Sequence, residues 1–562
     1  MTKHFWGLVA LSGCISLFSC KKDQKDAVSE ASEISEVAVR QWAPEDERSL
    51  SGFSATRGIT YDSDRDTEGY VLFEPSTSTF TFLIDKAGNV VHRWDSDLNS
   101  MDSYLQPNGH LFRLERDENF PTFAAGGQAG RIREYNWDGE IVWDFSYFNE
   151  KELIHHDIEI MPNGNILAIS YDALTAAEAV KAGKNPELTP KAGIWLDKII
   201  EIKPSGPTGG EIVWEWRMRD HLIQDLNPSM DNFGVVVENP RKINVNSQSS
   251  EAGQLMSEEQ TEMVNQMIQM GMTTSNATVD NAGADLTHVN AISYNAAQDQ
   301  IVISVPGFNE AYVIDHSTTT AEAQGSSGGR WGHGGDLLYR WGNPINYGRG
   351  TEKDRMLFAQ HDVKWIPKGY PGEGNLMVFN NDIHNPESNF PNMWAAMEAA
   401  KMPQVTLSIA QMGNYSAVYE WNPPIDTEGH YLLPEDGPFG PSEPEWSYTA
   451  PDTYSFYSAF ISGAQRLKNG NTLITEGMRG RFFEVTPEKE LVWEYWQPYV
   501  YDYRLPDGTF AQPVGPFIFH VFRSTLLTPE FPAFTGKNLE PVTPQPEPFK
   551  LPPPPSEAGQ GH

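Results

Sequence analysis

"DIEIMPNGNILAIS" (157–170) is two short runs of alternating apolar and polar residues joined at Pro162-Asn163-Gly164. Alternation with a period of two marks a half-buried strand, and Asn-Gly supplies the backbone freedom that a tight hairpin needs. The hairpin recurs as "YLQPNGHLFRL" (104–114), "NAISYNAAQDQIVIS" (290–304), "DVKWIPKGYPGEGNLMVF" (362–379) and "AQRLKNGNTLIT" (464–475). Between these units an aromatic strand keeps returning: "VVHRW" (90–94), "EIVWDF" (140–145), "EIVWEW" (211–216), "DLLYRW" (336–341), "PEWSY" (444–448) and "LVWEYW" (491–496). Each follows another strand that ends in a turn, so the chain is built of two hairpins, or four antiparallel strands, per unit. Repetition on this scale predicts an all-β fold, a six-bladed β-propeller over residues 51–535. Five units are complete. The sixth has only "GYVLFEP", "TFTFLID" and "VVHRW" near the N-terminus, and is expected to borrow its innermost strand from "FHVFRSTLL" (519–527), closing the ring.

Two segments interrupt the rhythm, at about 220–285 and 381–411, and both are expected to carry small helices. In the first, "SEEQTEMVNQMIQMG" (257–271) opens with the spacing of a capping box at Ser257 and Gln260 and stops at Gly271. Met263, Met267 and Met270 fall on one face, as in a helix packed on the propeller rim, with a lid over the channel as the alternative. The second holds "PNMWAAMEAAKM", and residues 536–562 form a Pro-rich tail.

The 562 residues carry 76 acidic against 41 basic side chains, a formal net charge of −35. Such a field repels phosphate backbones and anionic lipid, which argues against nucleic-acid binding. At the N-terminus, "MTKHFWGLVALSGCISLFSCKKDQKD" places an early Lys3 before an apolar stretch from Phe5 to Phe18, the pattern of a secretory signal. "LFSC" before a polar run resembles a lipobox and marks Cys20 as the lipid-anchored residue; Cys14, in "LSGC", is the alternative. Residues 1–20 are thus read as a lipoprotein signal peptide and 21–50 as a disordered tether. The expected location is the bacterial cell envelope, periplasmic or outer-membrane associated, with the membrane touched only through the anchor. Both cysteines lie in this segment, so the mature chain is expected to have neither a disulfide nor a thiolate nucleophile.

The innermost strand of each blade lines the central channel, and its first residue sits at the mouth, where a ligand meets several blades. Aligning the hairpins on their turns puts Met101, His156, His288, His361 and Ser462 at this point in the second to sixth units. Three of five are histidine, in a chain with 14 histidines. Register selects His156 over its neighbour His155, which is read as a packing residue. Asp157 and Asp362 follow two of the histidines and, by strand alternation, are expected to point away. Three convergent imidazoles suit either a metal site or nucleophilic and acid–base chemistry on an anion. The residues themselves leave the two open.

"THVNAISYN", "QHDVKWIP…GNLMVFNN" and "GNTLITEGMRGRFFEV" resemble the bacterial arylsulfate sulfotransferases, and the similarity runs through nearly the whole mature chain. It implies a six-bladed propeller that moves a sulfuryl group from a phenolic sulfate ester to a phenol, without a nucleotide sulfate donor, by a ping-pong route through a sulfohistidine. It assigns His361 as nucleophile, His288 and Asn290 as holders of the sulfuryl oxygens, and His156 as the remaining family histidine. Small-molecule donor and acceptor are then the partners, with no cofactor or metal, and a homo-oligomer is compatible. The chain departs from the family pattern once. The family arginine 18 residues after the "HVN" histidine is Pro306 here. Arg481 and Arg131 are the candidate substitutes, Arg481 standing with Ser462 as an expected substrate contact; both begin outer-hairpin strands in the matching phrases "GRFFEV" and "GRIREY", and a structural role is the alternative. The departure keeps two other readings alive, a propeller that only binds an anionic or aromatic ligand and a histidine-metal lyase or hydrolase.

Overall fold

The computed structural model describes residues 55–549 apart from 118–121, 248–257, parts of 259–275, 385–412, 503–508 and 510–516. The signal segment, Cys20, the tether and "PNMWAAMEAAKM" lie outside the described residues, as do Ser257, Gln260, Met263, Met267, Met270 and Gly271. Within 257–271 the described residues Thr261, Val264, Asn265 and Ile268 are helical. Val264 is buried against Phe123, Tyr171 and Trp195.

Six antiparallel sheets make up the ring, in the order the hairpins predict. From the axis outward, blade 2 is Asn99–Leu105, Leu111–Arg116, Gly130–Tyr135 and Ile141–Ser146. Blade 3 is Glu152–Ile160, Ile166–Leu174, Ile194–Ser205 and Gly209–Arg217. Blade 4 is Ala291–Asn295, Gln300–Val305, Glu310–Asp315 and Tyr339–Trp341, and blade 5 is His361–Trp365, Leu376–His384, Asn414–Trp421 and Trp446–Tyr448. Blade 1 closes the ring as expected. Its inner strand Ser524–Leu527 comes from the far end of the chain and pairs with Tyr70–Phe73, Tyr70 opposite Leu527 and Phe73 opposite Ser524. Phe80–Asp85 and Val90–Asp95 complete it.

Blade 6 departs from four strands. Outside Gly463–Arg466, Thr472–Glu476, Arg481–Val485 and Leu491–Trp496 it carries a fifth, Gly58–Asp62, antiparallel to the last. The ring is thus fastened twice, by the C-terminal strand inside blade 1 and by the N-terminal strand on blade 6. Elsewhere among the described residues, the short helices Ala176–Lys181 and Thr320–Ala323 each open on a capping box. In the tail, the Val542 N–H donates to the Val90 carbonyl (2.9 Å) and Gln545 bonds both backbone groups of Val90.

The recurring aromatic strand has a physical role repeated around the ring. In each blade its tryptophan donates the indole N–H to the next blade. Trp94 reaches the Asn136 carbonyl, Trp143 that of Gly209, Trp214 the Thr318 hydroxyl, and Trp341 the Pro441 carbonyl. Trp446 reaches Pro487 and Trp493 closes the circuit at Lys86 of blade 1. A tryptophan seals an inter-blade seam with its apolar body while its N–H finds the partner a half-buried donor needs. This is why the motif is an aromatic strand and not merely an apolar one.

Candidate active site

The inner strands enter the channel with a break in their regular geometry. His156 and His288 have φ of 57° and 50°, and in blade 6 Ile461 and Ser462 have 52° and 87°. Left-handed backbone at non-glycine residues costs of order 1–3 kcal/mol each and persists where surrounding contacts hold it. The same break appears as bulges. In blade 3 the single residue Ile169 faces His155, His156 and Asp157 together, and in blade 5 pairing slips between His361 and Lys364.

The bulges overturn the expectation that Asp157 and Asp362 point away. Asp157 Oδ2 lies 3.0 Å and Asp362 Oδ1 3.3 Å from the Arg523 guanidinium, and Asp102 Oδ2 of blade 2 lies 2.9 Å from its Nε. Side chains of blades 2, 3 and 5 can meet only at the axis, so Arg523, one residue before the closing strand, occupies it. An extra residue in a strand resets which neighbour faces inward, so strict alternation no longer applies. Each aspartate also tightens the ring: Asp157 accepts the Ile292 N–H of blade 4 (3.0 Å), and Asp362 accepts the Ala464 N–H of blade 6 (2.9 Å).

Above this charge cluster the three predicted histidines come together. The rings of His156 and His288 are 4.5 Å apart, edge to face, and Phe522 lies 6.2 Å from His156 and 6.4 Å from His361. Each ring is anchored through Nδ1, and the three anchors differ. His361 Nδ1 donates to the Asn381 side-chain oxygen (2.8 Å) and the Ala359 carbonyl (3.1 Å), so Nε2 keeps its lone pair, which accepts the Ile461 N–H at 3.2 Å. His288 Nδ1 is held by the Asp285 carboxylate at 2.5 Å. His156 Nδ1 is 2.7 Å from Nδ1 of His155, whose Nε2 is 2.7 Å from Asp197.

Burial and the anchors together set the charges. Burial pushes the His361 imidazole down to about 3, so it is neutral at ordinary pH. Burial and the neighbouring His288 charge hold His156 well below the usual range. Burial also pulls on His288, but the charge and hydrogen bond of Asp285 outweigh it and hold His288 above the usual histidine value. One constellation therefore contains two imidazoles held toward the neutral form and one held toward the protonated form.

The other expected site residues fall in different places. Asn290 is fully buried and gives its amide N–H to the Gln360 carbonyl (3.0 Å), tying blade 4 to the residue before His361. The Ser462 hydroxyl accepts the Gly477 N–H (2.9 Å). Arg481 does not serve the site as expected. Its guanidinium is buried within blade 6, paired with Glu476 (2.9 Å) and Glu494 (2.5 Å) and packed over Phe483 and Trp496. Arg131 is likewise taken up by Asp117 and Asp144. A phrase shared by two outer hairpins, "GR", marked a structural ion pair. Pro306 is buried, and the next residue, Gly307, donates its N–H to the Thr287 carbonyl beside His288 (3.1 Å). The cation at the axis comes instead from Arg523. The turn alignment applied to five blades, carried to the borrowed strand of the first, falls on Phe522 and Arg523. An open depression of about 650 Å³ lies elsewhere, at the seam of blades 1 and 6, but Asp62, Asp64, Asp66, Glu68 and Asp85 line it and repel a sulfate ester.

Among known proteins, the sequence matches the family model described as Arylsulfotransferase (ASST) over residues 59–497. No curated protein matches. Solved structures similar to the chain include a Bacteroides caccae protein of unknown function (9% identity, 82% of this chain and 99% of that one, TM-score 0.38). A streptogramin B lyase (12%, 84% and 93%, 0.33) and a catalytically inactive Staphylococcus aureus virginiamycin B lyase with quinupristin (10%, 78% and 88%, 0.31) are also similar.

Proposed function

The chain belongs to the arylsulfotransferase family, and from that premise we propose that it moves a sulfuryl group between phenols through a sulfohistidine on His361. The observation that carries this reading is the anchoring of His361. A neutral amide oxygen holds Nδ1–H, and the Nε2 lone pair, which accepts the Ile461 N–H until substrate displaces it, sits on an imidazole that is neutral at ordinary pH. A neutral imidazole is a competent nucleophile and forms a labile N–S bond suited to onward transfer.

In the first half-reaction Nε2 attacks sulfur as the bond from sulfur to the aryl oxygen breaks. The protonated His288, held by Asp285, offsets charge on the sulfuryl oxygens and can protonate the departing phenolate. A donor of this kind contributes about 3 kcal/mol to a transition state. In the second half-reaction the acceptor phenol attacks sulfur, its proton passes to His156, and the N–S bond breaks to restore His361. The His156 proton then resets the neighbouring His288, so each cycle carries one proton from acceptor to donor phenol. Arg523 is not assigned to the substrate, because three carboxylates already match its charge.

Mixing the protein with 4-nitrophenyl sulfate and no acceptor should release one nitrophenolate per active site in a burst, with acid-labile sulfur on His361 by intact-protein mass spectrometry. No burst from wild type, or an equal burst from His361→Ala, sinks the assignment. The replacement of the family arginine by Pro306 favours one second reading, a propeller that binds aryl sulfates without turning them over. Saturable binding with no burst supports that reading. Export with a lipid on Cys20 belongs to the same proposal; radiolabelled palmitate incorporated equally into wild type and Cys20→Ser would refute the anchor.

A further inference from the structure

His155, beside the proposed base, is packed as no bystander needs to be. Its ring is fully buried and stacks on Tyr171 at 3.7 Å with the planes 15° apart. Phe123 stacks on the other side of Tyr171 at 4.9 Å. Both ring nitrogens are engaged, Nδ1 with His156 and Nε2 with Asp197. Asp197 is itself fixed, since its second oxygen accepts the Thr287 hydroxyl (2.5 Å) and the Val289 N–H (3.0 Å), on either side of His288. The line Asp197–His155–His156 therefore runs from a preorganised carboxylate to the channel, and it fixes protons along its length. The carboxylate accepts, so His155 carries its hydrogen on Nε2 and its Nδ1 accepts. His156 must then carry its hydrogen on Nδ1, leaving Nε2 free to accept.

We propose that Asp197 and His155 form with His156 a proton relay that takes up the acceptor phenol's proton during sulfuryl transfer. This rests on the sulfotransferase reading above and adds two positioning residues to it. As the phenol oxygen bonds to sulfur and the N–S bond breaks, the phenol proton passes to His156 Nε2. The His156 Nδ1 proton then passes to His155 Nδ1. His156 ends neutral with its hydrogen on Nε2, and His155 ends as an imidazolium beside the Asp197 carboxylate. Charge comes to rest against a carboxylate and not in the desolvated channel. Reversal of the two transfers resets the relay through the His156–His288 contact.

The test separates the two half-reactions. Asp197→Asn preserves shape but turns an amide N–H toward His155, which reverses each tautomer along the line and leaves His156 with Nε2–H. His155→Phe keeps the stack on Tyr171 and breaks the line. With 4-nitrophenyl sulfate, whose leaving group needs no proton, both variants should keep a stoichiometric burst. Turnover with a weakly acidic phenol acceptor should fall about 100-fold or more, the usual weight of a general base. An acceptor already ionised at the assay pH should restore turnover to within a few-fold, a rescue that a structural defect would not give. Equal turnover by variants and wild type, or loss of the burst together with turnover, overturns the relay. No burst from wild type overturns the parent reading instead. Independently of turnover, 15N-histidine NMR should place the His156 proton on Nδ1 in wild type and on Nε2 in Asp197→Asn; Nε2 in wild type overturns the relay.

Discussion

Asp285→Asn isolates the charge on His288 with little change of shape. Asp285 Oδ2 takes both the His288 Nδ1–H and the Tyr171 hydroxyl (3.0 Å), and its other oxygen is buried without a hydrogen-bond partner. An amide placed with its oxygen on the shared side keeps both bonds and loses only the charge. Removing a unit charge about 4 Å away at an effective dielectric near 20 is worth about 4 kcal/mol, or about 3 pKa units. The molecule supplies its own references for a buried imidazole without a carboxylate, since burial pushes His361 down to about 3 and His520 to about 4. In the variant, His288 should therefore join them and be neutral at pH 7.

The burst rate is the assay, measured from pH 4.5 to 9 with 4-nitrophenyl sulfate and with unsubstituted phenyl sulfate. Wild type should hold its rate up to a basic limb above the usual histidine range and fall beyond it. In Asp285→Asn that limb should move down by about 3 pH units. At pH 7 the nitrophenyl burst should drop about 100-fold, the weight of one charged donor on a developing anion. Phenyl sulfate, with a poorer leaving group, should suffer more. Stability gives a second readout with a defined sign. A histidine whose folded pKa is raised contributes stability that is complete below the unfolded value and lost as pH rises through the folded value. The loss in Tm for the variant should thus be larger at pH 5.5 than at pH 9. A folded Asp285→Asn protein with an unmoved basic limb would refute the assignment of charge to His288.

Arg523→Met leaves three buried carboxylates facing one another, and breaking a buried ion pair from one side costs about 3–5 kcal/mol. Burial already raises Asp102 and Asp157, so their protonated forms are favoured in the fold. Stability should then fall as pH rises above the unfolded carboxylate range, and urea midpoints should separate more at pH 8 than at pH 5; equal separation would contradict this. Arg481→Met should lower stability by a similar amount through Glu476 and Glu494 while leaving KM for the donor unchanged per folded molecule, and a raised KM would return Arg481 to the substrate. Gly127 has φ of 75°, and a Cβ there collides with the His156 ring. Gly127→Ala should slow acceptor-dependent turnover more than the burst, and equal slowing of both steps would count against His156 as the acceptor-side base.

The fold was legible because two physical periods repeat along the chain. Strand alternation with Asn-Gly turns located the hairpins, and the tryptophan at the end of each unit marked the seam it seals. Even the borrowed strand of blade 1 could be assigned, because a ring with three strands in one blade must close. The fifth strand of blade 6 could not, since "GITYD" fills no gap in the count. The histidines were legible for the same reason as the hairpins, through a common register. What register could not give was direction at a bulge. His156, Asp157 and Asp362 sit where an extra residue resets the pleat, and the reading by alternation failed at that point. The reading of Arg481 failed differently, because a buried arginine and a substrate arginine look alike until their partners are known.

The three histidines also carry no mark of their separate roles in their own motifs. What distinguishes them is the atom each Nδ1 meets: an amide oxygen 20 residues downstream for His361, a carboxylate three residues upstream for His288, and a second imidazole for His156. On the proposed reading, one kind of side chain serves as nucleophile, cation and base according to its burial and what its Nδ1 meets. Two of those neighbours are local in sequence, but Asn381 and Asp197, which lies 42 residues from the His155 it holds, reach the channel only through folding. It follows that the chemistry should be exchangeable between positions by moving anchors, not histidines. A carboxylate given to His361 or taken from His288 changes which ring holds a proton, while all three rings stay in place. On the proposed reading, the arginine missing at Pro306 becomes less damaging, because Asp285 holds His288 above the usual histidine value at the same channel mouth.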